Sequence, residues 1–166
     1  MKTGVAYFAT RDPRHFERDL DDMIEHGCNF VVHCCSELDM AWYNQSLEAI
    51  IRRSKERGME VYLDPWGVGG VFGGETFSRF VADHLEARQI ARDGTSLPAA
   101  CPNHPAFREL MNLWIQRAAE LGADVVLWDE PHFFHDFTHS ASWENWACRC
   151  PACRDIYRKE NGAEMP

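Results

Sequence analysis

The sequence predicts an α/β fold built on four parallel strands, and three observations predict it. Four short runs, Val5–Ala9, Asn29–Cys34, Glu60–Asp64 and Asp124–Trp128, are rich in Val, Phe, Tyr or Leu and lack polar alternation. Strands covered on both faces read this way. Stretches with helical apolar spacing separate the runs, and three runs follow a glycine (Gly27, Gly58, Gly122) placed to end the preceding helix in the left-handed conformation. Strand–helix order with short turns gives parallel pairing and right-handed crossovers.

Each element has its own signals. Asp12-Pro13 can cap and open a first helix with the stripe Phe16, Leu20, Met23 and Ile24. Leu47, Ile50 and Ile51 mark a second, and Phe77, Phe80, Val81 and Leu85 a third. Pro105 opens a fourth, with Phe107, Leu110, Met111, Trp114, Ile115, Ala118 and Leu121 on one side, and a polar last helix runs from about Pro151 to Glu160. The third and fourth strands are thus joined by a crossover with an extra helix, an insertion within one domain. An open doubly wound sheet and a barrel both fit this order. Gly67-Val68-Gly69-Gly70-Val71-Phe72-Gly73-Gly74 has neither the glycine a dinucleotide loop needs at Phe72 nor a P-loop Lys-Ser/Thr, and reads as a flexible loop over a cleft.

Charge and cysteine usage narrow the function classes. With 17 Lys plus Arg against 26 Asp plus Glu in 166 residues, the chain is too acidic for a phosphate-binding face, so neither nucleic acid nor an anionic membrane surface is an expected partner. The start carries one basic residue before Arg11-Asp12 cuts the apolar stretch short, which argues against a signal peptide. Seven cysteines, three of them at Cys148, Cys150 and Cys153, point to metal ligation in a reducing, cytoplasmic setting rather than to disulfides.

Chemistry in α/β folds gathers at the carboxyl ends of the strands. Those ends carry Thr10-Arg11-Asp12, Ser36-Glu37-Leu38-Asp39, Asp64-Pro65-Trp66 and Asp129-Glu130-Pro131-His132, with Trp42, Tyr43, Trp66, Phe133 and Phe134 close by. Carboxylates beside aromatic plates suit a neutral polyhydroxylated ligand. Asp12 and Asp64 also have plain readings, as a helix cap and a turn residue. Glu130 is the sharpest candidate: a carboxyl at an apolar, acidic mouth has its pKa raised, as a general acid needs.

Cys148-Arg149-Cys150-Pro151-Ala152-Cys153 places three thiolates on a tight loop, and tetrahedral zinc takes a fourth ligand. Cys101 precedes the helix that leads into the fourth strand, so loops around 98–104 and 146–154 can close one four-thiolate site. His132, His135, Asp136 and His139, with Glu130, have the residue types of a catalytic metal site, but Phe133, Phe134 and Phe137 interrupt them; a polar rim on the mouth is the first reading.

Asp129-Glu130-Pro131 resembles the Asn-Glu-Pro-type motif of the large barrel clan of glycoside hydrolases, whose acid/base Glu ends strand four. More narrowly, Cys101-Pro102-Asn103-His104-Pro105-Ala106-Phe107-Arg108 and the C-x-C-x2-C loop are similar to the zinc-bearing β-galactosidases of glycoside hydrolase family 42, over roughly Pro98 to Gly162. The resemblance implies a TIM (β/α)8 barrel of which these four βα units are the N-terminal half. It implies Cys101, Cys148, Cys150 and Cys153 as structural zinc ligands and Glu130 as acid/base, with Asp129 as its catalytic neighbour. Glu37, Asp64, Trp66 and His132 are the expected substrate-binding residues, and a carbohydrate the expected substrate. Asp129 stands where that family has Asn, and Pro131-His132 where it has Tyr-Gly, so galactoside specificity does not carry over. A barrel takes ~250 residues and a retaining glycosidase a second carboxylate from strand seven. The expected partner is therefore a C-terminal half-barrel, or a second copy of this one, and the 166 residues alone are expected to be inactive. A metal-dependent hydrolase using His132–His139 and a non-catalytic carbohydrate-binding or assembly protein are the alternatives.

Overall fold

The computed structural model describes every residue except Ala9, Glu75 and 135–144. In chain order the elements are β1 (Gly4–Tyr7), α1 (Pro13–Glu25), β2 (Phe30–Cys34), α2 (Glu37–Ala41), α3 (Asn44–Glu56), β3 (Glu60–Asp64), α4 (Arg79–Asp83), β4 (Arg88–Ile90), β5 (Ser96–Ala100), α5 (Pro105–Glu120), β6 (Val125–Val126) and α6 (Pro151–Asn161). They form an α/β structure with two compact units. The first holds residues 1–66 and 112–129, the second 67–111 and 130–166.

The first unit is a four-stranded parallel sheet in the order β1-β2-β3-β6. Asp12 caps α1 by accepting from the Arg14 amide at 2.9 Å, ahead of Pro13. Gly27, Gly58 and Gly122 all take the left-handed conformation that ends a helix, with φ of 80°, 79° and 80°. One sheet face packs on α1 and α3. There Phe16 meets the rings of Tyr7 and His33 at 5.2 and 5.3 Å, and His33 Nε2 lies 3.0 Å from the Ser54 hydroxyl. Phe16, Leu20, Val31, Leu47, Ile50, Ile51, Val61 and Leu63 are essentially excluded from water. Trp114, fully buried, donates its indole N–H to the Cys35 carbonyl at 2.8 Å.

Two expectations about strands change. The first strand begins at Gly4 and ends at Tyr7. The fourth, expected over Asp124–Trp128, keeps only Val125–Val126, half-buried, because Asp124 is diverted to other work. Its carboxylate accepts from the Val61 amide at 2.9 Å and from Lys55 at 2.6 Å, tying the strand's start to β3 and α3. The Leu127 amide still donates to the Leu63 carbonyl at 2.9 Å, so contact with β3 continues past the strand proper.

The second unit departs more. The expected third helix shrinks to α4, since the Ser78 hydroxyl accepts from the Val81 amide and starts the helix after Phe77. Phe77 and Leu85 are left exposed; in the first unit, Ile115 likewise leaves the buried side of α5. Behind α4 lies an antiparallel hairpin, β4 with β5, in place of purely helical crossover. Its turn is the three-residue loop Arg92-Asp93-Gly94, closed by the Gly94 amide on the Ala91 carbonyl at 3.0 Å and the Ala91 amide on the Thr95 carbonyl at 2.9 Å, with Gly94 left-handed at φ 91°. The segment before α6 docks along β4: Ala91 bridges Ala147, and the Arg149 amide donates to the Ile90 carbonyl at 2.7 Å.

Candidate functional site

The hairpin and α6 bring four cysteines together. Cys101 leaves β5 with its amide on the Ala87 carbonyl at 2.8 Å. Cys148 and Cys150 flank the stretch held by β4, and Cys150 is the N-cap of α6, with Pro151 opening the helix and Cys153 in its first turn. The pattern C-x-C-x2-C thus places two sulfurs on an extended entry and the third one helical turn inward. All four sulfurs lie within 4.8 Å of one another, and all four residues are buried. Cys101 Sγ is 3.4 Å from both Cys150 Sγ and Cys153 Sγ. A tetrahedral ion with bonds of about 2.3 Å needs sulfurs about 3.8 Å apart, so little movement separates this cluster from a ligand set.

The surroundings fit thiolates. The amides of Ile90 and Cys150 point at Cys148 Sγ, and the Asn103 amide group at Cys153 Sγ, each at 3.4 Å. Such N–H donors steady metal-bound sulfur and spread its charge. Hydrogen bonds among the thiols, chiefly from Cys101, push Cys148 down to about 7 and Cys150 further down, while Cys101 is pushed up. Ile90, Ala147, Ala152 and Met165 cover the group. The donor set can hold a metal ion, with no open position left for a substrate. The other three cysteines are elsewhere, and burial pushes the Cys35 thiol up to about 12.

The strand-end residues fall in both units. In the first, Asp39 is buried and structural: it accepts from the Ser36 amide and hydroxyl at 2.9 and 2.8 Å and pairs with Arg11. Glu37 opens α2 and is half-buried. Asp64 is 2% exposed, and burial, then Asp129, push its carboxyl up to about 7. Trp66 is half-buried beside Phe8, ring centroids 4.5 Å apart, while Trp42 and Tyr43 are exposed. Asp129 is half-buried.

In the second unit Glu130 and His132 are exposed, and His132 Nδ1 lies 2.6 Å from the Glu130 carbonyl. Glu130 has φ 43°, and is the one non-glycine residue with positive φ among those described. His135, Asp136 and His139 lie outside the described residues. Sequence reasoning missed Gln89. Fully buried, it donates to the Ala100 carbonyl at 2.9 Å and accepts from the Phe134 amide at 3.0 Å, fastening the segment after Glu130 to the hairpin. The His132 amide, on the Val71 carbonyl at 2.9 Å, is its second anchor. A single Gln between Arg88 and Ile90, in a stretch that mixes charged and apolar residues, is too weak a signal to find.

No protein-family model matches the chain, and no curated protein matches it either. Among the described residues, no helix is long and apolar enough to cross a membrane.

Proposed function

We propose that the chain is the N-terminal half of a barrel glycoside hydrolase, stabilised by one structural zinc ion, with Glu130 as general acid/base. The observation that carries this reading is the strand order. Four parallel strands paired in the order of the chain, β1-β2-β3-β6, follow the sequence a barrel takes around its axis. Doubly wound sheets reverse direction at a switch point between early strands. In the first unit Glu37, Asp64 and Trp66, at the carboxyl ends of its strands, are the residues expected to bind sugar; in the second, His132 stands beside Glu130. Strained backbone at Glu130, in the loop that follows β6, also supports a functional role for it, since such strain tends to gather at working sites.

Zinc is the reading for the metal because four buried thiolates with no open position suit a structural tetrahedral ion. When bound, the ion supplies rigidity to the loops it joins and no chemistry to the substrate. The second carboxylate comes from a C-terminal half-barrel. Glu130→Gln in the natural gene product tests the assignment. Turnover of glycosides with poor leaving groups falls by roughly 10²–10⁴, and activated aryl glycosides, which need little protonation, lose far less. Equal loss on both substrates removes the acid/base role, and no turnover by the unaltered product removes the enzyme.

A further inference from the structure

At the carboxyl edge of the sheet, inside the first unit, one buried oxygen has nothing to bond to. Asp64 ends β3, is 2% exposed, and its Oδ1 meets no hydrogen-bond donor among the described residues. An ionised carboxylate there gives up hydration without replacement. Its neighbours offer no relief. Register sets Cys34 of β2 level with Asp64, and its buried thiol, raised by burial first and Asp64 second, brings no positive charge. Arg11, which also acts on Cys34, is taken by Asp39. From the last strand, contact with β3 continues through the Leu127 amide on the Leu63 carbonyl. That register brings Asp129 just past the level of Asp64, where its charge is the second influence on Asp64 after burial.

We propose that Asp64 and Asp129 act as one carboxyl pair holding a single proton at neutral pH, with Asp64 keeping it as a positioning residue and Asp129 as the member a ligand reaches. A divalent cation is the weaker explanation: calcium takes about six to eight oxygens, and the cysteines are the one metal-ligating cluster among the described residues. With Asp64 holding the proton, Asp129 meets the ligand as the acceptor of its hydroxyl donors. The single negative charge left over disfavours anions. The pair therefore suits an uncharged, oxygen-rich ligand, and Trp66, two residues past Asp64 and packed on Phe8, offers an apolar plate in the same loop. The ligand class rests on the glycosidase reading; the proton on Asp64 rests on its burial, its unpartnered oxygen and the register that brings Asp129 near.

Carboxyl-carbon NMR on the full chain, metal retained, decides it. The expected spectrum has one Asp carboxyl with a midpoint near 7 that is lost in Asp64→Asn and moves down by a unit or more in Asp129→Asn. Should Asp64→Asn fail to fold, the shift in Asp129→Asn carries the test. The pair is overturned if every Asp titrates below about 5, if the high midpoint survives Asp64→Asn, or if Asp129→Asn leaves it in place. A positive titration in a protein that cleaves no glycoside keeps the pair and removes only the enzyme.

Discussion

At the scale of single residues, the two most informative positions carry costs. Glu130 holds a left-handed backbone conformation that costs a non-glycine residue roughly 1–2 kcal/mol. Glu130→Gly should therefore match or exceed the parent in stability, by up to about 1 kcal/mol, whereas Glu130→Ala should show no such gain. Urea denaturation of the two variants side by side separates backbone strain from loss of the carboxylate. Asp64 and His33 set opposing pH slopes. His33 is held neutral by burial, its pKa lowered from 6.5 to about 3, so its contribution is present above pH 6.5 and is lost as pH falls towards 3. Asp64 is raised from 3.8 to about 7, so the folded chain keeps a proton that the unfolded chain gives up. Its contribution is complete below pH 3.8 and is lost as pH rises through 7. Asp64→Asn should flatten the loss of stability between about pH 4 and 7, and His33→Gln the loss between pH 6.5 and 4. Thermal melts across pH 4–8 read both; parallel curves for parent and variants would refute the assignments.

At the scale of elements, the hairpin and α6 form one construction around the cysteines. Replacing Cys150 with Ser removes a ligand at the N-cap of α6 and leaves three buried sulfurs incomplete. Because binding free energy of a structural metal is also folding free energy, the loss should amount to several kcal/mol, with metal content falling below one ion per chain. Elemental analysis with hydrogen exchange over 88–101 and 145–161 would show both, and protein purified without chelator that holds no metal would rule out the centre. The hairpin turn makes a separate prediction. Gly94 sits at φ 91°, so Gly94→Val should cost roughly 1–2 kcal/mol and loosen the same exchange window. Its side chain meets open space, so backbone strain is the whole effect.

For the whole molecule, the described surface carries features that favour association. β1 pairs with β2 along one side and is the edge of its sheet, and Val5 and Phe8 are 37% and 49% exposed there. Edge strands with exposed apolar residues template pairing with other chains. Sedimentation velocity should show concentration-dependent association that Val5→Lys suppresses. A sharp monomer boundary at millimolar concentration would refute it.

Much of this architecture was legible in the sequence because its signals are local. Glycine that ends a helix, Asp-Pro that begins one and the Phe16–Leu20–Met23 stripe each act within a few residues, and the structure keeps all three. The C-x-C-x2-C loop is local in the same sense, and Cys101 follows from the order of the loops. What tertiary structure alone decided is where local signals compete. Asp124 could extend a strand or tie it to β3 and α3, and a ready amide and Lys55 chose the second. Phe77 fits a helical stripe, yet Ser78 caps the helix behind it. The Asp93-Gly94 turn was present in the sequence, but the pairing of Arg88 with Ala100 is a long-range choice that two helix-like stripes concealed. Sequence by itself determined the repeated βα units and the sulfur donor set. Only packing decided that Asp39 serves a cap and an arginine, that Gln89 anchors the segment after Glu130, and that one carboxyl oxygen of Asp64 is buried with no donor among the described residues. Burial and satisfaction of polar atoms depend on residues distant in the chain, and no local pattern encodes them.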